Sequence, residues 1–324
     1  MKIKHLVLSL SALALAACGN GGEEPADSTG DNGGASEGFS LGINQYMEHE
    51  SLSESREGFL AELEDAGYTE GENLTVDYKN AQGDQANLQS ITQQLAGNHD
   101  LILNIATPSA QAMANADPDT PQLFTAVTDP VEAGLVESIE EPGGNVTGTS
   151  DMAETAELID LLLKADPEIQ TIGIIYNSSE LNSELQYEAA KEEIESRGLN
   201  VESVAVSTTN DVQSAISSLA DISDGIYVPT DNTVASSIAT IGQVLMDKQV
   251  PSVAAFGAGI EGTLATYGVD YTELGRQTAR QALQIIEDGV SPSDIPVEYS
   301  ENLVVDVNEE MAEALGIDPA SLTE

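Results

Sequence analysis

Basic residues, cysteine and tryptophan are scarce in this sequence of 324 residues, and each shortage excludes a class of function. Only 10 Lys and Arg stand against 56 Asp and Glu, so the formal net charge is −46. Nucleic acids and anionic membrane surfaces are bound through many basic side chains, so neither is an expected partner. The single Cys permits no intramolecular disulfide and no cysteine-based metal cluster.

The common signatures of catalysis are missing as well. The sequence contains neither a G-x-S-x-G nor an H-E-x-x-H motif, and His49 and His99 have no zinc-type spacing around them. Among so many acids, no pair stands out as the two carboxylates of a glycosidase. We therefore predict a protein that is not an enzyme and that holds no metal or cofactor.

The excess of acids has a physical interpretation other than disorder. Hydrophobic residues make up 40% of the chain, which is enough to form cores. At about 1 M salt the Debye length is roughly 3 Å, so repulsion between surface carboxylates is largely screened. We interpret the acidity as a halophilic or haloalkaline surface on a folded protein.

The N-terminus is typical of an exported lipoprotein. Lys2 and Lys4 precede an uncharged stretch, 6–17, which is shorter than the roughly 20 residues of a membrane span. Residues 1–17 therefore predict a signal peptide, and the small residues before Cys18 resemble a lipoprotein box in which the Cys is lipidated. Residues 18–38 are rich in glycine and acids and predict a flexible linker. These features predict an extracytoplasmic protein anchored to the membrane.

From residue 39 onward, short apolar runs alternate with helical patterns. The predicted strands are 39–44, 74–78, 101–106, 172–176, 201–206, 225–228 and 303–307. The predicted helices are 53–66, 85–96, 154–164, 184–196 and 212–219. This alternation is typical of α/β folds with parallel sheets covered by helices on both faces. The length favours two domains, because single cores stop growing at roughly 250–300 residues.

Polar residues at the strand–helix junctions are the first candidates for a binding site. In open α/β sheets ligands bind beyond the carboxyl ends of the strands. The hydroxyl groups of Thr107 and Ser109, with free N–H groups at Ser109 and Ala110, suit a ligand carboxylate. Glu180 and Asp231 follow later strands, where an acid either caps a helix or pairs with a ligand ammonium. Ordinary N-capping remains the alternative at each junction.

Several longer stretches, in the same order, resemble one known family. They are residues 43–49, 56–59, 80–84, 106–111, 125–130, 142–151, 176–183, 229–233 and 270–277. These stretches are similar to those of the substrate-binding lipoproteins of ABC importers of the tryptophan/tyrosine type, over about residues 41–316. One departure is Glu50, which stands where the family usually has Pro and which could alter the loop beside the cleft.

The resemblance implies a type I periplasmic-binding fold, with two doubly wound parallel-sheet lobes, a hinge and a ligand cleft between the lobes. Lobe 1 is expected to hold residues 39–148 and 270–300, and lobe 2 residues 149–269 and 301–324. Together with the junctions it also implies a set of ligand-binding residues. For the ligand carboxylate these are Thr107, Ser109, Ala110 and Thr128; for the ammonium, Glu180 and Asp231. The remaining pocket residues are Gln45, Tyr46, Glu48, Tyr176, Asn177, Ser178, Asn182 and Asn232.

The implied function is capture of a small amino-acid-like solute, most simply tryptophan, tyrosine or phenylalanine, and delivery to an ABC permease with its cytoplasmic ATPase. The protein is expected to be a monomer. Two alternatives stay open on the sequence. One is a sensory module of the same fold that reports to a receptor, and the other is a secreted hydrolase that uses paired carboxylates.

Overall fold

Two six-stranded sheets organise residues 38–300 and 303–323, which the computed structural model describes. The first sheet has the order β11-β5-β4-β3-β1-β2 and the second β12-β10-β9-β8-β6-β7. The strands of the first sheet are β1 Phe39–Gln45, β2 Leu74–Asn80, β3 Leu101–Ile105, β4 Gln122–Thr125, β5 Val146–Ser150 and β11 Glu298–Tyr299. Those of the second are β6 Thr171–Asn177, β7 Asn200–Val206, β8 Gly225–Val228, β9 Ser252–Ala254, β10 Ala265–Val269 and β12 Leu303–Val307.

Helices cover these sheets and define the two lobes. Lobe 1 consists of the first sheet with α1 Glu50–Asp65, α2 Gln85–Leu95, α3 Thr107–Ala116 and α9 Tyr271–Asp288. Lobe 2 consists of the second sheet with α4 Thr155–Ala165, α5 Leu181–Ser196, α6 Thr209–Ala220, α7 Asn232–Ala235, α8 Ile238–Lys248, α10 Glu309–Leu315 and α11 Ala320–Thr323. Among the described residues no helix has both the length and the apolar character of a membrane span.

The two doubly wound α/β lobes confirm the predicted fold class. Every strand pair is parallel except β10 with β12, and the fully buried run of β3 is typical of a strand covered on both faces. The chain passes between the sheets after β5, after β10 and after β11. Because β5 extends to Ser150, the first sheet continues two residues past the boundary expected at 148.

Helix starts differ most from the sequence prediction. Helix α1 begins at Glu50 and not at 53, because its N-cap is His49, whose side chain makes no capping hydrogen bond and gives no sequence signal. Helix α5 likewise begins at Leu181, and the side chain of its N-cap residue, Glu180, makes no capping hydrogen bond.

Glu50 occupies the first helical position of α1, where proline is favoured and where an acid also suits the helix dipole. The substitution of Glu for the family's usual Pro is therefore compatible with the same helix start.

Close packing of α1 on α9 fixes where the N-terminus of α1 lies. A Cβ atom on Gly58 would lie 2.0 Å from the Thr272 carbonyl oxygen, and one on Gly275 2.0 Å from that of Ser55. Only glycine permits this approach, because both clashing atoms belong to the backbone. Arg276 adds an ion pair to Glu62 at 2.7 Å across the same contact.

Candidate ligand-binding site

A narrow cavity lies between the two lobes. All of its lining residues follow the carboxyl ends of strands, as expected for a ligand site in open α/β sheets. Lobe 1 contributes His49, Ser51, Leu52, Ala126 and Thr128; the segments that connect the lobes contribute Asp151 and Tyr271; lobe 2 contributes Asn182, Thr230, Asp231, Asn232, Ala235 and Phe256.

The lobe 1 side of the cavity presents the N-terminus of α1. The first hydrogen bond of this helix joins the Ser53 N–H to the His49 carbonyl at 3.1 Å, so the N–H groups before Ser53 have no partner inside the helix. The Ser51 side chain is buried, and its hydroxyl has no hydrogen-bond partner. These donors and the positive end of the helix dipole together suit a ligand carboxylate.

On the lobe 2 side, Asp231 is buried at the N-terminus of α7. Its carboxylate accepts hydrogen bonds from the backbone N–H groups of Val234, at 2.8 Å, and Asn177, at 2.5 Å. Burial, followed by the negative charge of Glu180, raises the pKa of Asp231. Asp231 thus caps the N-terminus of α7, which was one of the two roles expected for it, and it also lines the cavity.

Glu180 lies behind Asp231 and is equally buried. One carboxylate oxygen accepts from the Thr233 hydroxyl at 2.8 Å and from Asn177 Nδ2 at 3.1 Å. The other oxygen accepts from Asn232 Nδ2 at 2.5 Å. Among the ion pairs of the described residues, none brings a basic side chain to Glu180 or Asp231.

A third buried acid, Asp151, lies where the chain leaves lobe 1 after β5. The hydroxyl of Tyr271, at the start of α9, donates to Asp151 Oδ2 at 2.9 Å. The second oxygen of Asp151 is buried without any partner. Burial raises the pKa of Asp151, and it also raises the pKa of Tyr271. This pair joins two of the segments that connect the lobes.

Hydrogen bonds across the cavity hold the lobes close to each other. His49 Nε2 lies 3.3 Å from Asn232 Oδ1, and Gln186 Nε2 donates to Thr128 Oγ1 at 3.3 Å. Burial lowers the pKa of His49 to about 4. The described conformation is therefore a closed one, with a neutral imidazole between the lobes at neutral pH.

Four residues predicted from the sequence line the cavity: Thr128, Asn182, Asp231 and Asn232. Asn177 and Glu180 stand behind them and hold Asp231 and Asn232 in place. The junctions after β6 and β8 therefore meet at one cavity, as the sequence pattern suggested.

The junction after β3 does not line this cavity. Thr107 and Ser109 are buried, and the Ser109 hydroxyl has no partner. The prediction of a free N–H at Ala110 is wrong, because this group donates to the Ala106 carbonyl at 3.2 Å within the first turn of α3.

Residues at the end of β1 form a polar network within lobe 1. Arg56 donates to Gln45 Oε1 at 2.7 Å and lies 3.9 Å from the exposed Glu48. Tyr46 is buried beside this network, and its pKa is raised by burial and then by the charge of Glu180. Gln45 and Glu48 are thus engaged with their own lobe, and the Tyr46 hydroxyl likewise donates to the Gly83 carbonyl of lobe 1 at 3.4 Å.

Two further predicted residues lie away from the cavity. Tyr176 stacks on Tyr187 of α5, with ring centroids 4.2 Å apart. Ser178 is exposed in the turn after β6. Cys18, the predicted lipidation site, is outside the described residues.

Sequence reasoning missed the aromatic and hinge residues of the cavity. Phe256 and Tyr271 follow β9 and β10, which are not among the strands predicted from the sequence. Asp151 belonged to one of the stretches shared with the family, yet nothing distinguished it from the other acids. Only its burial reveals it.

Two α/β lobes that close over a cavity at the carboxyl ends of their strands form the type I periplasmic-binding-protein fold. The chain belongs to the family described as ABC transporter substrate binding protein, whose sequence model matches residues 40–321. Proteins of such importers act outside the cytoplasmic membrane together with a permease.

Two relatives with similar sequences have been solved in different ligand states. An L-Trp complex of an ABC domain from Streptococcus pneumonia is 35% identical, with a TM-score of 0.84 over 89% of this chain and 98% of that one. A ligand-free, open substrate binding protein from Clostridium difficile is 43% identical but has a TM-score of only 0.67, over 86% and 95% of the two chains. The lower TM-score with the open structure, despite the higher sequence identity, fits the closed conformation of the present protein.

A third relative is named for the ligand that it binds. The chain is 41% identical over 283 residues to a tyrosine-binding protein of Clostridioides difficile (strain R20291), covering 87% of this chain and 82% of that protein.

Proposed function

We propose that this protein binds one aromatic amino acid, as the zwitterion, in the cavity between its lobes and delivers it to an ABC permease. The observation that carries the proposal is a closed cavity with opposite chemistry on its two sides. Buried carboxylates without a basic partner, Asp151 and Asp231, face unpaired donors at the N-terminus of α1. A zwitterion supplies the missing charge to each side.

The size of the cavity favours a single small solute. The space between the closed lobes is narrow and largely enclosed, as expected around a small ligand. A peptide or an oligosaccharide would need more room and a more open groove.

The apolar part of the cavity suits an aromatic side chain. Leu52, Phe256 and Tyr271 are almost fully buried and provide flat or branched apolar surface beside the polar groups. The tyrosine-binding relative and the L-Trp complex support the same class of ligand.

A binding measurement tests this function directly. The full-length protein is titrated by calorimetry with L-tyrosine, L-tryptophan, L-phenylalanine, L-lysine and L-glutamate in concentrated salt. We expect binding of at least one aromatic amino acid, with stabilisation of about 2.7 kcal/mol when the ligand is at roughly 100 times its Kd. Binding of lysine or glutamate in preference to all three aromatic amino acids would contradict the proposal. Mass analysis of the released ligand should show it unchanged, because we expect no catalysis.

We also propose that Cys18 carries a lipid that anchors the protein to the cell membrane. The sequence around Cys18 supports this proposal. Cys18→Ala should convert a membrane-bound protein into a released one, and retention of the variant in the membrane fraction would contradict the proposal.

Finally, we propose that the protein works as a monomer and that its acidic surface is adapted to concentrated salt. The salt proposal is supported by the scarcity of basic partners: nearly all basic residues in the described part of the chain are engaged in ion pairs, so most acids have no basic partner. Unfolding measurements at low and high salt should show the greater stability at high salt, and light scattering should give a mass near 33.9 kDa for the unprocessed chain.

A further inference from the structure

We propose that the ligand ammonium is held by three acceptor atoms that have no partner in the closed cavity: Asp151 Oδ1, Asn182 Oδ1 and His49 Nδ1. This inference rests on the proposed function and assigns one end of the ligand to particular atoms. It differs from the sequence expectation, which gave the ammonium to Glu180 and Asp231.

Asp151 is the charged member of the set. It is 1% exposed, and only one of its oxygens is used inside the protein, by the Tyr271 hydroxyl. Leaving a buried carboxylate oxygen without a hydrogen-bond donor destabilises the closed protein. A ligand that donates a hydrogen bond to this oxygen removes that cost, and a cationic donor also compensates the charge.

Asn182 offers a second acceptor, from lobe 2. Its Nδ2 donates to the Thr230 carbonyl at 2.8 Å, and a carbonyl can only accept. The orientation of the amide is therefore assigned, and the unpartnered atom is the oxygen Oδ1. This oxygen needs a donor, just as Asp151 Oδ1 does.

His49 provides the third acceptor, from lobe 1. Asn232 Nδ2 donates to Glu180, so Asn232 presents its oxygen to His49 Nε2. His49 Nε2 must therefore carry the proton. Because burial keeps the imidazole neutral, Nδ1 is a lone-pair acceptor, and it is buried without a partner.

A protonated amine matches this arrangement in number, chemistry and charge. An ammonium group has three N–H donors, whereas a water molecule has two and no charge. The three acceptors belong to lobe 1, lobe 2 and the connecting segment, so one ammonium group would tie together all the parts that move on closure. In contrast, the oxygens of Glu180 and Asp231 already accept hydrogen bonds from lobe 2 itself.

The test compares ligands that differ only in the ammonium group. Full-length protein is titrated calorimetrically at one pH with L-tyrosine and 3-(4-hydroxyphenyl)propanoate, and with L-tryptophan and 3-(indol-3-yl)propanoate. We expect the wild type to bind the amino acid about 10- to 100-fold more tightly than its desamino counterpart. Asp151→Asn should weaken binding of the amino acid by about 10- to 100-fold and change that of the desamino compound by less than about threefold.

Two further variants make the result specific. Asn182→Ala should weaken amino-acid binding by about tenfold, again with little effect on the desamino compound, and it decides the matter if Asp151→Asn does not fold. Glu195→Gln removes an exposed acid from the same helix as Asn182 and should change neither affinity.

Either of two results would overturn the assignment while leaving the proposed function intact. One is equal affinity of the wild type for the amino acid and its desamino counterpart. The other is an equal loss of both ligands in Asp151→Asn and Asn182→Ala. If the wild type binds no aromatic amino acid, the proposed function fails and this assignment fails with it.

Discussion

The two lobes share one topology but present opposite chemistry to the cavity between them. Both place their first five strands in the order 2-1-3-4-5, as β2-β1-β3-β4-β5 and β7-β6-β8-β9-β10. Lobe 1 presents a helix N-terminus and hydroxyl donors, whereas lobe 2 presents acids and amides. They differ also in the last strand, since β11 joins its sheet parallel and β12 joins antiparallel.

The difference shows that the scaffold fixes where a ligand binds and the residues after each strand fix what is bound. In lobe 1 the donors are backbone groups, so their position depends on how α1 packs. In lobe 2 the acceptors are side chains fixed by hydrogen bonds around Glu180 and Asp231. The two sides should therefore respond differently to mutation.

The largest effect is expected where the lobe 1 side depends on helix packing. In Gly275→Ala the new Cβ would lie 2.0 Å from the Ser55 carbonyl oxygen, so α1 or α9 must move. We expect a loss of about 3 kcal/mol in the free energy of unfolding and a weakened ligand affinity. Urea unfolding and calorimetry measure both. Gly144→Ala, where no atom lies within 4 Å, is the control, and equal stability of the two variants would contradict the packing argument.

A smaller effect on stability is expected from the protonation of His49, whose side chain hydrogen-bonds across the cavity to Asn232 of lobe 2. Its pKa is about 4 in the folded protein and about 6.5 when unfolded, so only the unfolded state gains the proton between these values. Stability is therefore lost as pH falls below about 6.5. The control is His49→Gln, which retains a hydrogen-bond donor toward Asn232 but does not titrate. Between pH 6.5 and 5, the free energy of unfolding of the wild type should fall by about 2 kcal/mol more than that of this variant. A stability difference that does not vary with pH would refute this prediction.

The smallest effect concerns one of the hydrogen bonds between the lobes, from Gln186 to Thr128. Thr128→Val removes the hydroxyl that accepts from Gln186 in the closed form at 3.3 Å, with nearly unchanged side-chain volume. Loss of one neutral hydrogen bond should weaken ligand affinity by about 1 kcal/mol, or roughly fivefold. Thr209→Val, at an exposed position of α6, provides the comparison. Unchanged affinity in Thr128→Val would mean that this contact does not help closure.

Predictions from the sequence were reliable where the whole signal lies within a single strand or helix. The fully buried strand β3 and strand β8 were found within one residue, because continuous apolar runs bounded by polar residues are local signals. The start of α1 was missed, because His49 caps the helix without a side-chain hydrogen bond. The acids at 180 and 231 were recognised as junction residues, but each also accepts a hydrogen bond from a residue about 50 positions away in the chain.

By itself, the sequence determined the α/β class, the two-lobe architecture through its family resemblance, and the strand ends at which a ligand should bind. The tertiary structure decided which of those strand ends meet. It brought Asp151, Tyr271 and the N-terminus of α1 to the cavity and kept the junction after β3 away from it. The reason is that periodicity is a property of neighbouring residues, whereas burial, the pairing of polar atoms and the convergence of two lobes depend on contacts between distant segments.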